Sequence, residues 1–290
     1  MCVVFVLGLA IVMTTSAVAE EKKVFSYEQA FSGPAATRTG ADRGIDGVLG
    51  GIPEIEGWLD DETYLELRVV GDEKNEQLFA VNAADGSATV YRDYPALAAD
   101  LPGGFDLQDP ADANQDLTRL VVEHEGDLYF VQLPDVKVQR LTAHEAEEKN
   151  ATLSPDGLWV AYTRNNDLFV YDLEHSLEHQ LTSDGTDEIM NGYASWVYYE
   201  EILGRRGTYR AFWWSPDSSR LVFLRFDDSK VPEFPIYHAD GQHGELEIQR
   251  YPKAGDPNPK VRSAVVSVAD GKTTWLDFDP DADHYLAFPY

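Results

Sequence analysis

Two adjacent carboxylates, Glu200 and Glu201, stand in a segment that could present them together: Asn191-Gly192-Tyr193-Ala194-Ser195-Trp196-Val197-Tyr198-Tyr199-Glu200-Glu201-Ile202-Leu203-Gly204. Ser195 is an N-cap residue type and Gly204 a helix stop. Trp196, Tyr199 and Leu203 recur at i, i+3 and i+7, which predicts a short helix near 195–204 with Trp196 and Tyr199 holding it in place. Both glutamates then fall in its C-terminal half, where the helix dipole disfavours negative charge. Such a placement asks for a cation, either a neighbouring arginine (Arg205, Arg206) or a bound ligand. Adjacency alone says little here, because Asp60-Asp61, Glu147-Glu148 and Asp227-Asp228 are further acidic pairs. By itself the pair reads as a solvated surface feature.

The other candidates for chemistry are weaker. His175 and His179 have the spacing of a helical zinc pair, but they lie in a strand-and-turn context without a third ligand, and read as surface side chains. Asp277, Asp279, Asp281 and Asp283 alternate like a calcium loop. Ala282 stands where that loop needs glycine and Phe288 where it needs glutamate, so the segment reads as an acidic turn. No metal or cofactor is expected. Cys2 is the only cysteine, so thiolate catalysis and Cys-ligated metals are excluded from the remainder of the chain.

The elements that must position Glu200 and Glu201 are short strands. Leu120–Val122, Leu128–Val131, Trp159–Tyr162 and Leu168–Tyr171 are rich in β-branched and aromatic residues and bounded by Asp, Asn, Gly and Pro. They repeat. Asp127-Leu128-Tyr129 and Asp167-Leu168-Phe169 lie 40 residues apart, as do Leu141-Thr142 and Leu181-Thr182. Glu76–Val81 looks like an earlier, looser copy. A period of about 40 residues with several strands per unit marks propeller blades. The fold class is therefore all-β, a partial β-propeller of about four to five four-stranded blades with one short inserted helix. A second marker, Ser154-Pro155-Asp156-Gly157, returns as Ser215-Pro216-Asp217-Ser218 after 61 residues. The excess of roughly 21 residues over the repeat must lie between Thr182 and Ala211, and it contains the glutamate pair. Residues 284–288 read as part of a further strand.

Composition bounds the partners. Fifty-one acidic against 23 basic residues give a formal net charge of −28. A surface this negative repels nucleic acid and anionic membranes, and neither is expected as a partner. Hydrophobic residues at 43% supply a substantial core. Val3–Met13 is an uninterrupted apolar run followed by Ala17-Val18-Ala19, the form of a signal peptide over residues 1–19. It predicts export to a periplasm or the extracellular space, and leaves residues 20–290 as the folded domain.

Four strings carry a resemblance. They are Trp196-Val197-Tyr198-Tyr199-Glu200-Glu201, Phe212-Trp213-Trp214-Ser215-Pro216, Asp228-Ser229-Lys230-Val231-Pro232 and Tyr251-Pro252-Lys253-Ala254-Gly255-Asp256-Pro257-Asn258-Pro259. In order and spacing they resemble the N-terminal β-propeller of the dipeptidyl peptidase IV family of serine peptidases, most specifically from about Asp167 to Val268. The resemblance implies that Glu200 and Glu201 bind the free α-amino group of a peptide and so measure out an N-terminal dipeptide, usually ending in proline or alanine. It implies an eight-bladed propeller followed, in the same polypeptide, by an α/β-hydrolase domain carrying Ser, Asp and His. No Gly-x-Ser-x-Gly elbow occurs among the 290 residues. The expectation is thus a truncated propeller without catalytic residues of its own, binding peptides with a free N-terminus and open to homodimer formation. No motif places the arginine that the family uses on the substrate carbonyl. The alternative reading is a stand-alone periplasmic propeller that binds a peptide or protein and catalyses nothing.

Overall fold

Residues that alternate along each strand divide their side chains between two neighbouring sheets, and this sets the architecture. A computed structural model describes residues 54–71, 76–99, 101, 105–204, 209–282 and 285–288. The expected signal peptide, Arg205, Arg206, Asp283 and His284 lie outside the described residues. Nearly all described residues belong to one unit, Ile55–Tyr290.

Three four-stranded antiparallel meanders follow one another. The first comprises β1 (Glu54–Trp58), β2 (Thr63–Val69), β3 (Glu76–Asn82) and β4 (Ala88–Asp93), and a short helix α1 (Tyr94–Ala98) closes it. The second comprises β5 (Asp112–Ala113), β6 (Arg119–His124), β7 (Asp127–Gln132) and β8 (Lys137–Arg140). The third comprises β9 (Lys149–Leu153), β10 (Trp159–Arg164), β11 (Asp167–Asp172) and β12 (Leu177–Gln180). Leu120, Val122 and Val131 of the second sheet pack with Leu65 and Leu78 of the first. Val121, Leu128 and Phe130, on the second sheet's other face, pack with Val160, Tyr162 and Phe169 of the third. On the third sheet's other face, Ala161, Leu168 and Val170 meet Phe212, Leu221 and Phe223. Both faces of the middle sheets are therefore covered, and every residue of β11 is buried. Stacked four-stranded sheets of this kind are propeller blades.

The repeated sequence markers are hydrogen-bonded units. The Leu128 N–H donates to Thr142 Oγ1 (2.8 Å) and the Leu168 N–H to Thr182 Oγ1 (2.9 Å), so each Leu-Thr returns to the start of its own hairpin. Ser154 Oγ donates to Asp156 Oδ1 (2.6 Å) and accepts from the Trp159 N–H (2.9 Å). Ser215 repeats this with Asp217 (2.6 Å) and the Arg220 N–H (3.0 Å). Gly157 has φ +71° and Ser218, at the matching place, φ +59°. The two turns also touch, the Asp156 N–H donating to Ser218 Oγ (3.0 Å).

The fourth sheet departs from the pattern twice. Its first strand is split into β13 (Ile189–Asn191) and β14 (Phe212–Trp214), both paired to β15 (Arg220–Asp227). The roughly 21 extra residues are the excursion between the halves. A hairpin, β16 (Glu233–His238) and β17 (Glu245–Arg250), then leaves between β15 and β18 (Lys260–Ser267), and β19 (Thr273–Trp275) completes the sheet. The hairpin was not expected, because its strands alternate polar and apolar residues as a blade does. Residues 285–288, expected as part of a strand, have no ladder partner among the described residues. Tyr285 instead packs its ring on Tyr198 (5.9 Å between centroids), and Asn258 Nδ2 donates to its hydroxyl (2.8 Å).

Candidate functional site

The excursion leaves the blade through a closed neck. The Gly192 N–H donates to Leu224 O and the Leu224 N–H to Ala211 O (both 2.9 Å). The Ala211 N–H donates to Gly192 O (2.9 Å), and Tyr193 bridges Arg210 in antiparallel fashion. The segment 193–210 thus starts and ends at one point on β15. Gly192 is required there. Its φ is +73°, and a Cβ would stand 3.2 Å from Phe212 and 3.3 Å from Leu168.

Beyond the neck, among the described residues, comes one short helix, α2 (Tyr198–Ile202), preceded by one α-helical step at 196–197. Its geometry changes along its length. The Tyr199 N–H donates to Ser195 O (2.9 Å), an i→i+4 bond, whereas the Leu203 N–H donates to Tyr198 O (2.7 Å), an i→i+5 bond. The widened π-type turn places Tyr198 and Leu203 above one another. They are the helix's deepest side chains, 1% and 4% exposed, packed with Phe226, Leu224 and Val261. The Tyr198 ring meets Phe226 edge-on (4.9 Å). Burial pushes its hydroxyl up to about 12. The i, i+3, i+7 pattern assumed 3.6 residues per turn, and therefore passed over Tyr198.

Trp196 and Tyr199, the residues expected to hold the helix, are half-buried and lie at its sides. Trp196 meets Tyr251 edge-on (6.4 Å). Its Nε1–H donates to Glu200 Oε2 (3.1 Å). Tyr199 stacks on Tyr209 (4.0 Å, 17° between planes), which stacks in turn on Tyr193 (5.0 Å, 1°). This column of three rings links the helix to both sides of the neck. Lys149, from β9, stands over the outer ring of Tyr193 (5.7 Å). Tyr209 has φ +64°, a conformation that costs a non-glycine residue about 1 kcal/mol or more and that the stack must hold. Burial, with Tyr193, Tyr199, Glu247 and Glu200 nearby, pushes the Tyr209 hydroxyl up to about 12.

Glu200 and Glu201 are the third and fourth residues of α2, in its one turn. Glu200 is half-buried and oriented by Trp196, and Glu201 is exposed. Gly204 follows with φ +72°, the left-handed stop expected of it. Ser195 does not cap through its side chain: its Oγ is buried and makes no hydrogen bond of normal geometry. It lies instead against Asp228, at the end of β15. Burial raises the Asp228 carboxyl to about 6, the Ser195 hydroxyl and Arg250 pulling the other way. A cavity of ≈ 740 Å³ opens beside the helix, with Tyr193, Trp196, Tyr209, Asp228, Glu233 and Arg250 in its wall. Arg250 is already held by Glu188 (2.6 Å) and lies near Glu233 (3.5 Å), so carboxylates dominate this wall.

The remaining candidates stay apart from this site. His175 Nδ1 pairs with Asp172 (2.8 Å), and the His179 ring leans on Trp159 (6.0 Å), so the two do not converge. Asp281 pairs with Lys260. Among the described residues no group of three His, Cys, Asp or Glu side chains could hold a metal ion, and no helix is long and apolar enough to cross a membrane. Tyr193, Tyr198, Tyr209 and Asp228 were not singled out from the sequence. Two signals point to the tyrosines, namely their place on both sides of the insertion and the five-residue step from Tyr198 to Leu203, whereas none points to Asp228.

Residues 115–288 match the family described as "Dipeptidyl peptidase IV (DPP IV) N-terminal region". A relative from Aspergillus clavatus named "Probable dipeptidyl peptidase 4" is 36% identical over 155 residues, 50% of this chain and 19% of that protein. One from Talaromyces marneffei named "Probable dipeptidyl-aminopeptidase B" is 39% identical over 123 residues, 38% of this chain and 13% of that protein. The crystal structure of Porphyromonas gingivalis dipeptidyl peptidase 4 superposes with a TM-score of 0.63 at 26% identity, over 90% of this chain and 36% of that one. The chain thus spans well under half the length of these relatives.

Proposed function

The chain belongs to the dipeptidyl peptidase IV N-terminal-region family, and from that premise we propose that it is the substrate-binding and substrate-gating propeller of an exported serine exopeptidase that releases N-terminal dipeptides. Glu200 and Glu201 receive the α-ammonium group of the peptide. An ammonium brings three N–H donors, and paired carboxylates satisfy them by charge-assisted hydrogen bonds worth roughly 1.5–3 kcal/mol each. A blocked N-terminus forfeits those charge-assisted bonds, which selects for exopeptidase action. Cleavage itself requires an α/β-hydrolase domain in the same polypeptide. The apolar run Val3–Met13 before Ala17-Val18-Ala19 supports export.

The observation that carries the reading is the build of the excursion. A closed neck, a tyrosine column and a buried Tyr198 hold a short helix that offers Glu200, oriented by Trp196, beside the exposed Glu201. In the enzyme that carries this propeller with its catalytic domain, Glu200→Ala or Glu201→Ala should lower kcat/KM for Xaa-Pro substrates by at least tenfold while circular dichroism and melting stay unchanged. Near-normal turnover in both variants defeats the assignment.

A further inference from the structure

Asp228 is a buried carboxylate outside the glutamate pair, and it faces the foot of the helix that bears them. It is 4% exposed, and Ser195 is 2% exposed. Its main chain is fixed to the blade. The Asp228 N–H donates to Glu188 O (2.8 Å), and its own carbonyl accepts from the Val231 N–H (2.9 Å). Ser195 belongs to the excursion, since its carbonyl accepts the first helical bond, from the Tyr199 N–H (2.9 Å). The Ser195 hydroxyl is near enough to act on the Asp228 carboxyl, yet Ser195 Oγ and Asp228 Oδ1 are both buried without a hydrogen-bond partner. A hydrogen bond between them would satisfy both atoms and tie the helix foot to the blade.

We propose that Asp228 is a positioning residue. Its carboxylate, acting through Ser195, sets the foot of the helix and thereby the placement of Glu200 and Glu201, so that peptide-amine affinity follows the ionisation of Asp228. The proposal rests on the amine-clamp reading given above. The charged groups that face Asp228 are Arg250 from β17 and Asp227 from β15. Arg250 is itself occupied by Glu188 and Glu233, which lie on the same cavity wall. Arg250 therefore offers Asp228 only part of its charge, and the Ser195 hydroxyl is the neutral donor at hand. Burial places the ionisation of Asp228 at about 6. Above that pH the carboxylate draws the Ser195 hydroxyl in. Below it the carboxyl is neutral and the foot is released.

The test is an NMR titration of the full chain between pH 5 and 7.5, following the Asp228 carboxyl carbon and the amides of residues 196–203, together with the affinity for Ala-Pro amide. The peptide amine remains largely protonated over this range, its own pKa being about 7.7–8.0. The expected result is that the helix amides move with the Asp228 midpoint, and that affinity falls at least threefold on going to pH 5. Both responses should vanish in Asp228→Asn. Ser195→Ala should flatten them while leaving Asp228 to titrate, and Ser195→Thr should restore them. Helix amides that titrate unchanged in Asp228→Asn and in Ser195→Ala would overturn the proposal, as would an affinity that stays flat with pH in the unaltered chain. Failure of the clamp reading looks different: the amides follow Asp228, but the peptide binds equally well when N-acetylated or when Glu200→Gln is introduced.

Discussion

Asp228→Asn should make the protein more stable at neutral pH, although it alters a fully packed position. The carboxyl moves from an ordinary value of 3.8 to about 6 on folding. Since the folded pKa is raised, the fold disfavours the charged form. The penalty is absent well below pH 3.8, grows between 3.8 and 6, and is complete above 6. At about 1.36 kcal/mol per unit the full penalty is about 3 kcal/mol. Asparagine is nearly isosteric and uncharged, and the pull of the Ser195 hydroxyl is already contained in the raised value. The gain at pH 7.5 is then about 3 kcal/mol, or roughly 6–12 °C in Tm for a unit of this size. At pH 5 the gain should shrink by more than 1 kcal/mol, because unaltered Asp228 is then mostly protonated in the folded state. Urea unfolding of both proteins at pH 7.5 and pH 5 measures this directly. An asparagine variant less stable at pH 7.5, or a difference that does not change with pH, would refute the reasoning.

Tyr198→Ala should cost about 3–5 kcal/mol, since it empties a fully buried ring site against Phe226, whereas Tyr198→Phe should cost about 1 kcal/mol, the hydroxyl only accepting a long bond from the Leu286 N–H (3.4 Å). Thermal unfolding separates the two. Gly192→Ala should destabilise by about 1–3 kcal/mol, because φ is +73° and the new methyl would crowd Phe212 and Leu168; an unchanged melting temperature would contradict the role of the neck. Glu148→Ala should cost about 3 kcal/mol by equilibrium unfolding. It removes one of two carboxylates from buried Arg164, and Glu178, still bound at 2.7 Å, keeps the loss at the low end of its class.

Much of this architecture could be read from spacing. The 40-residue recurrence of Asp-Leu and Leu-Thr reflects a threonine hydroxyl that closes each hairpin, and the Ser-Pro-Asp recurrence reflects one turn built twice. The 61-residue interval located the excursion because an insertion into a repeat shifts everything after it. The fourth sheet was harder. Splitting a strand into β13 and β14 leaves each half too short to show alternation, and the hairpin β16–β17 has the same period as a blade strand. Within the excursion, a widened helical turn replaces the regular period, so the 3.6-residue pattern points to Trp196 and Tyr199 at the helix's sides and passes over Tyr198, the buried anchor. Asp228 could not be distinguished from Asp227 by sequence, because adjacent residues of a strand end look alike until one is seen to point inward.

The amine clamp is the central claim, and one comparison tests it most directly: the affinity of the chain for Ala-Pro amide against N-acetyl-Ala-Pro amide, for the unaltered protein and for Glu200→Gln with Glu201→Gln. Two charge-assisted hydrogen bonds at roughly 1.5–3 kcal/mol each predict a preference of at least 100-fold for the free amine, falling to near unity in the double variant. Equal affinity for the two peptides, or a preference that survives the double substitution, would contradict the account.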